Sequence, residues 1–146
     1  MFKKILVAID GSENSKVALG YAAKLQALTN CELLLLTVYR HHSLLEASMS
    51  MVRADKTPAT MDDAMREHAK GVADEAKLWA KEAGAENVRA FVKGGPPART
   101  IVKFSQEHDA DLIVVGSRGH GDVEGYLLGS VSHKVTSLAK VPVMVV

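Results

Sequence analysis

Four short runs of the chain, at residues 5–9, 33–39, 111–116 and 141–146, are too apolar to have a solvent face, and a shorter one lies at 88–92. The first reads Ile5-Leu6-Val7-Ala8-Ile9 and the fourth in chain order is apolar throughout after Asp111. Strands of this kind are buried on both sides, the condition met in a parallel sheet covered by helices. Helical spacing fills the intervals. Val17, Tyr21, Leu25 and Leu28 predict one helix face, with Ser12 as its N-cap. Met61, Met65, Ala69, Val72, Ala76 and Trp79 share the face of a long helix, with Thr60 and Asp63 at capping-box spacing and Gly84 as the stop. Pro96-Pro97 opens a third helix that turns Ile101, Val102 and Ser105 inward, and a fourth covers residues 130–139. Right-handed crossovers then give one α/β domain over residues 1–146. Its expected core is a doubly wound five-stranded parallel sheet in the order 3-2-1-4-5, with helices on both faces.

In such a sheet the ligand crevice opens at the carboxyl ends of the strands where the winding reverses, here between strands 1 and 4. Asp10-Gly11-Ser12 and the loop after Gly116 are therefore expected to face one cleft. Composition excludes several occupants. With 18 basic and 17 acidic residues in 146, the net charge of +1 offers no basic face for a nucleic-acid backbone. Aromatic residues make up 5% of the chain, too few for a base-stacking platform. The single cysteine, Cys31, is expected as a small buried hydrophobe at the start of strand 2. The apolar run near the N-terminus ends at Asp10, too soon for a signal-peptide core, and no run is long enough to cross a membrane, so a cytoplasmic protein is expected.

The loop has its own chemistry. Of 11 glycines, five are Gly116, Gly119, Gly121, Gly125 and Gly129, and the loop leads through Gly129-Ser130-Val131-Ser132 into a helix. Glycines let backbone amides approach an anion and adopt positive φ. A helix N-terminus adds unsatisfied N–H donors and partial positive charge, the serines add hydroxyls, and Arg118 adds a full charge. At about 13 residues the loop exceeds the usual 2–6 of a strand–helix connection. GxxxxGK[ST] is absent, and so is G-x-G-x-x-G after the first strand, which sets aside P-loop and Rossmann dinucleotide sites.

The spacing Gly116-x2-Gly119-x9-Gly129-Ser130 resembles the ATP-binding signature of the universal stress protein family. Residues 4–12 are similar to that family's opening strand, residues 110–119 to its fourth and residues 141–146 to its last. The resemblance implies the family's adenine nucleotide alpha hydrolase-like fold and a bound ATP, carried with Mg2+. It implies that Ala8, Ile9 and Asp10 lie beside the adenosine, with Asp10 near the ribose, and that the Val38 backbone meets the adenine edge. Val115, Gly116, Arg118 and Gly119 would wrap the ribose and first phosphates, with Gly129, Ser130, Val131 and Ser132 holding the rest. Ala8 departs from the proline that several binders carry there. The resemblance also implies a homodimer through the last strand, Val143, Met144, Val145 and Val146, whose open apolar edge needs cover, with a tetramer as a further step.

No catalytic constellation accompanies this cradle. Asp10 is the one acid placed in the cleft, while Asp122 and Glu124 are loop residues, so at most slow ATP hydrolysis is expected. A receiver domain would need an acidic cluster after strand 1 and an aspartate after strand 3, where Lys93-Gly94-Gly95 stands instead. The alternative is a nucleotide-independent interaction module. Its basis is the Met-rich segment within residues 40–60, which also resembles a stretch of members associated with TRAP-type solute transporters. Of the histidines only His120 stands in the glycine-rich loop, where phosphate contact is the lesser of its two readings, whereas adjacent His41 and His42 have poor geometry for one metal.

Overall fold

The computed structural model describes residues 1–41, 58–119 and 128–146. The expectations for the Met-rich segment, for His42 and for His120, Gly121, Asp122, Glu124 and Gly125 lie outside the described residues. The elements in chain order are β1 (Lys4–Ala8), α1 (Glu13–Thr29), β2 (Glu32–Tyr39), α2 (Pro58–Glu82) and β3 (Val88–Gly94). They continue with α3 (Pro97–Glu107), β4 (Leu112–Val115), α4 (Ser130–Leu138) and β5 (Val143–Val145). All strand pairs are parallel, in the order β3-β2-β1-β4-β5. This is the doubly wound sheet that the apolar runs require.

Alternation along the strands divides the core in two. Ile5, Val7, Leu33, Leu35 and Val114 bury one sheet face against Ala18, Leu19 and Ala22 of α1 and Ala76 and Ala80 of α2. Leu6, Leu34, Leu36, Ile113 and Val115 bury the other against Ile101 and Phe104 of α3 and Val135 of α4. A fully buried leucine or isoleucine contributes about 1.5–3 kcal/mol relative to exposure. The central strands hold most such residues, so the site at their carboxyl ends stands on the most deeply buried strands of the sheet.

Two expectations need correction. The face of α1 marked by Val17, Tyr21 and Leu28 is its outer one, and these residues are 44%, 49% and 84% exposed. The helix buries Ser15, Ala18, Leu19, Ala22, Ala23 and Gln26 instead. Small side chains let the helix axis approach the sheet, so closeness rather than side-chain size decides which face turns inward. Gln26 is satisfied there, its amide donating to the carbonyls of Cys31 and Glu86. The second correction concerns α2, which starts at Pro58, so Thr60 lies inside the first turn and not at a capping box.

Other boundaries follow the sequence. Ser12 caps α1, its hydroxyl accepting from the Ser15 N–H at 3.2 Å. Gly84, at φ 83°, ends α2 in a Schellman turn: Ala85 N–H donates to the Ala80 carbonyl and Gly84 N–H to that of Lys81. Cys31 is buried. Trp79 is half-buried against the core with the Lys16 ammonium 5.3 Å from its ring centre. His68 is exposed, and His108 stacks on Phe104 with ring centres 3.8 Å apart. Among the described residues no helix is long and apolar enough to cross a membrane.

Candidate nucleotide site

β1 and β4 end side by side at the reversal of winding, and a cavity of about 240 Å³ opens there. Ala8, Ile9 and Asp10 line it from β1, and Val38 from the end of β2. Val115, Gly116, Arg118 and Gly119 line it from β4 and the start of the loop, and Ser130, Val131 and Ser132 from α4. Every described residue singled out for nucleotide contact thus lines this cavity except Gly129, the N-cap of α4.

Parallel pairing explains the free groups at Val38. Ile9 N–H donates to the Leu36 carbonyl, so Leu36 directs its backbone toward β1. Gly95 N–H donates to the Tyr39 carbonyl, so Tyr39 directs its backbone toward β3. Val38 lies between them and, by the strand's period of two, turns its N–H and C=O toward β1. β1 has already ended at Ala8. Among the described residues neither Val38 group has a partner. A donor and an acceptor are left side by side, flanked by Leu36 and by Ile101 of α3.

Asp10 is set by local turn chemistry. Its Oδ1 accepts from the Ser12 N–H at 2.9 Å and from the Ser12 hydroxyl, an Asx turn that feeds α1. Its Oδ2 has no partner among the described residues. Gly11, at φ 84°, makes the turn possible.

At the opposite wall, Ser130, Val131 and Ser132 occupy the first turn of α4, where backbone N–H groups lack intrahelical acceptors. Gly129 offers no side chain to cap them, and no acidic residue stands in that turn. Ser132 differs from expectation. Its buried hydroxyl donates to the carbonyls of Ser117 (3.0 Å) and Gly129 (3.1 Å), so it ties the loop together, and what remains for a ligand is its amide. The exposed Ser130 hydroxyl has no partner among the described residues, and the exposed Arg118 makes no ion pair there.

Gly116 is needed for closeness rather than for positive φ. A Cβ there would come within 3.0 Å of the carbonyl carbon and Cβ of Asn14. Asn14 also donates from its side-chain amide to the Ser117 hydroxyl at 3.4 Å. Ser117 N–H in turn donates to the Val146 carbonyl, and Gly129 N–H to the Ser117 carbonyl. The loop is therefore fastened to α1 on one side and to the end of β5 on the other. The spacing of the sequence did not single out Asn14, Ser15, Leu36, Arg40, Pro97 or Ile101, although the last five also line the cavity. Leu36 follows from the period of two before Val38, and Ile101 from the inward face of α3; no sequence signal marked Asn14.

The whole chain, residues 1–146, matches the model of the Universal stress protein family, and it belongs to that family. Universal stress protein YxiE of Bacillus subtilis is 37% identical over 150 residues, a match covering 100% of this chain and 99% of YxiE. The solved structure of MJ0577, a universal stress protein of Methanocaldococcus jannaschii, has a TM-score of 0.82 at 29% identity, covering 100% of this chain and 96% of its own. A universal stress protein solved in complex with cAMP has a TM-score of 0.71 at 28% identity, covering 99% of this chain and 96% of its own.

Proposed function

We propose that this chain is a cytoplasmic stress-response protein of the family's ATP-binding subgroup, one domain throughout, whose nucleotide occupancy is a regulatory signal. The observation that carries the reading is the unpaired Val38 backbone beside the cavity. Its C=O and N–H match the amino group and ring nitrogen on one edge of adenine. From there the cavity runs past Asp10, whose free oxygen suits a ribose hydroxyl, to the bare amides of α4 and Arg118, which suit phosphate. The complete Gly116-x2-Gly119-x9-Gly129-Ser130 spacing supports the subgroup, and the relative bound to cAMP supports an adenine nucleotide. Mg2+ belongs on the phosphates: Asp10 is the one carboxylate lining the cavity among the described residues. No group of three or more candidate metal ligands occurs among those residues.

The output is a homodimer through β5. Val143 and Val145 pack on one core and Met144 and Val146 on the other, while only β4 pairs with the strand among the described residues. A second copy would cover that edge, and the Ser117–Val146 hydrogen bond joins it to the phosphate loop. A tetramer or a solute transporter as partner extends the same reading. A second reading, a nucleotide-independent docking module, draws on the exposed Val17, Tyr21 and Leu28 along α1.

The base decides between ligands. Inosine and guanine nucleotides present a carbonyl and an N–H where adenine presents an amino group and a bare nitrogen, so Val38 would oppose both. Titration calorimetry is expected to give ATP at least tenfold tighter binding than ITP or GTP. Equal affinities would overturn the assignment of Val38.

A further inference from the structure

A second cavity, of about 380 Å³, lies between the first turns of α3 and α4 and shares Arg40, Pro97, Ser130 and Val131 with the first. Among the described residues no carboxylate lines it, whereas Arg40, Arg99, Lys134 and His133 do. Among the described residues Arg40, Arg99 and Lys134 make no ion pair. Three cations around one hollow repel one another, and an anion relieves that repulsion.

The helices bear the same sign. Neither α3 nor α4 has a side-chain cap or an acidic residue in its first turn. A carboxylate in a helix's first turn is stabilising and a cation there is not. Arg99 occupies the third position of α3, so the chain gives up helix stability at the very place where the hollow gains charge.

We propose that this groove is a subsite for a second phosphate group carried by the nucleotide in the first cavity. The inference rests on the nucleotide reading above and adds a ligand class to it. That class is an adenine nucleotide carrying phosphate beyond what the first cavity holds. It has two sources: a nucleotide phosphorylated on its ribose as well as its 5′ oxygen, and a linear dinucleotide whose phosphate chain passes Ser130 into the groove.

Calorimetric titrations of the full chain separate them. Adenosine 3′,5′-bisphosphate is compared with AMP, and diadenosine tetraphosphate with ATP, in the wild type and in Arg99→Glu. One of these two test ligands is expected to bind at least tenfold tighter than its reference, with a gain that shrinks as salt rises. Arg99→Glu is expected to remove the gain, to leave AMP affinity within about threefold, and to melt no lower than wild type because glutamate suits a first turn. A gain for the bisphosphate assigns the ribose phosphate, and a gain for the tetraphosphate alone assigns the dinucleotide. If AMP and ATP bind but neither ligand gains, or if the gain survives Arg99→Glu, the subsite is refuted while the nucleotide reading stands. If AMP and ATP do not bind at all, the nucleotide reading itself fails and the subsite with it.

Discussion

Replacing Gly116 with alanine perturbs the site through one methyl group. The new Cβ would sit 3.0 Å from the Asn14 carbonyl carbon, 3.0 Å from its Cβ and 3.1 Å from its oxygen. Two of these atoms are backbone in the first turn of α1, so relief requires the helix start to move by a few tenths of an ångström. Overpacking of this kind costs about 1–3 kcal/mol, and at this chain length each kcal/mol lowers Tm by roughly 2–4 °C. A drop of about 2–12 °C is expected in a thermal melt followed by circular dichroism. The displaced turn carries Ser12 and hence Asp10 with it, so ATP affinity is expected to fall by about tenfold, near 1.4 kcal/mol. Gly71→Ala is the contrast. A Cβ there meets nothing within 4 Å on an exposed position of α2, so that variant is expected to gain about 0.5–1 kcal/mol. If Gly116→Ala melted and bound like the wild type, the close approach of β4 and α1 would not be what the glycine provides.

Three further outcomes test the surrounding structure. Gln26→Ala leaves the Glu86 N–H and the carbonyls of Cys31 and Glu86 without their partner and is expected to lower unfolding free energy in urea by about 1–3 kcal/mol. Ser12→Ala removes the α1 cap and one of the two hydrogen bonds that hold Asp10, and is expected to cost about 0.5–2 kcal/mol in the same assay. Asp111 has its carboxyl held below the usual carboxylate range by N–H donation from Lys4 and then Lys3, against a small opposing effect of burial. A depressed folded-state pKa contributes stability above the unfolded value and loses it as pH falls through the folded one. Asp111→Asn is therefore expected to be less stable than wild type at pH 7, with the gap closing below about pH 4 in urea melts; a gap unchanged at pH 3 would contradict this origin.

The sheet was legible because its strands are apolar on both faces, a pattern with few other solutions, and strand order then placed the crevice. The α1 face was misread for the opposite reason. Val17, Tyr21 and Leu28 are the larger apolar residues, yet Ala18, Ala22 and Ala23 permit the tighter approach. At the site, glycine and serine spacing led to the α4 amides, but it did not distinguish Ser130, whose hydroxyl is open, from Ser132, whose hydroxyl is spent on Ser117 and Gly129. Val38 was reached through family resemblance. Its physical basis, a backbone left unpaired where β1 stops, requires the register of three strands.

Ser130→Glu tests the central claim most directly. Glutamate in the first turn of α4 suits the helix, yet it sets a negative charge where phosphate is proposed to lie. Calorimetric titration of Mg-ATP is expected to give micromolar binding by the wild type, roughly −8 kcal/mol. In Ser130→Glu the affinity is expected to fall at least a hundredfold, with a melting temperature no lower than wild type. A folded wild-type protein that binds no ATP, or a variant that binds it equally well, would contradict the account.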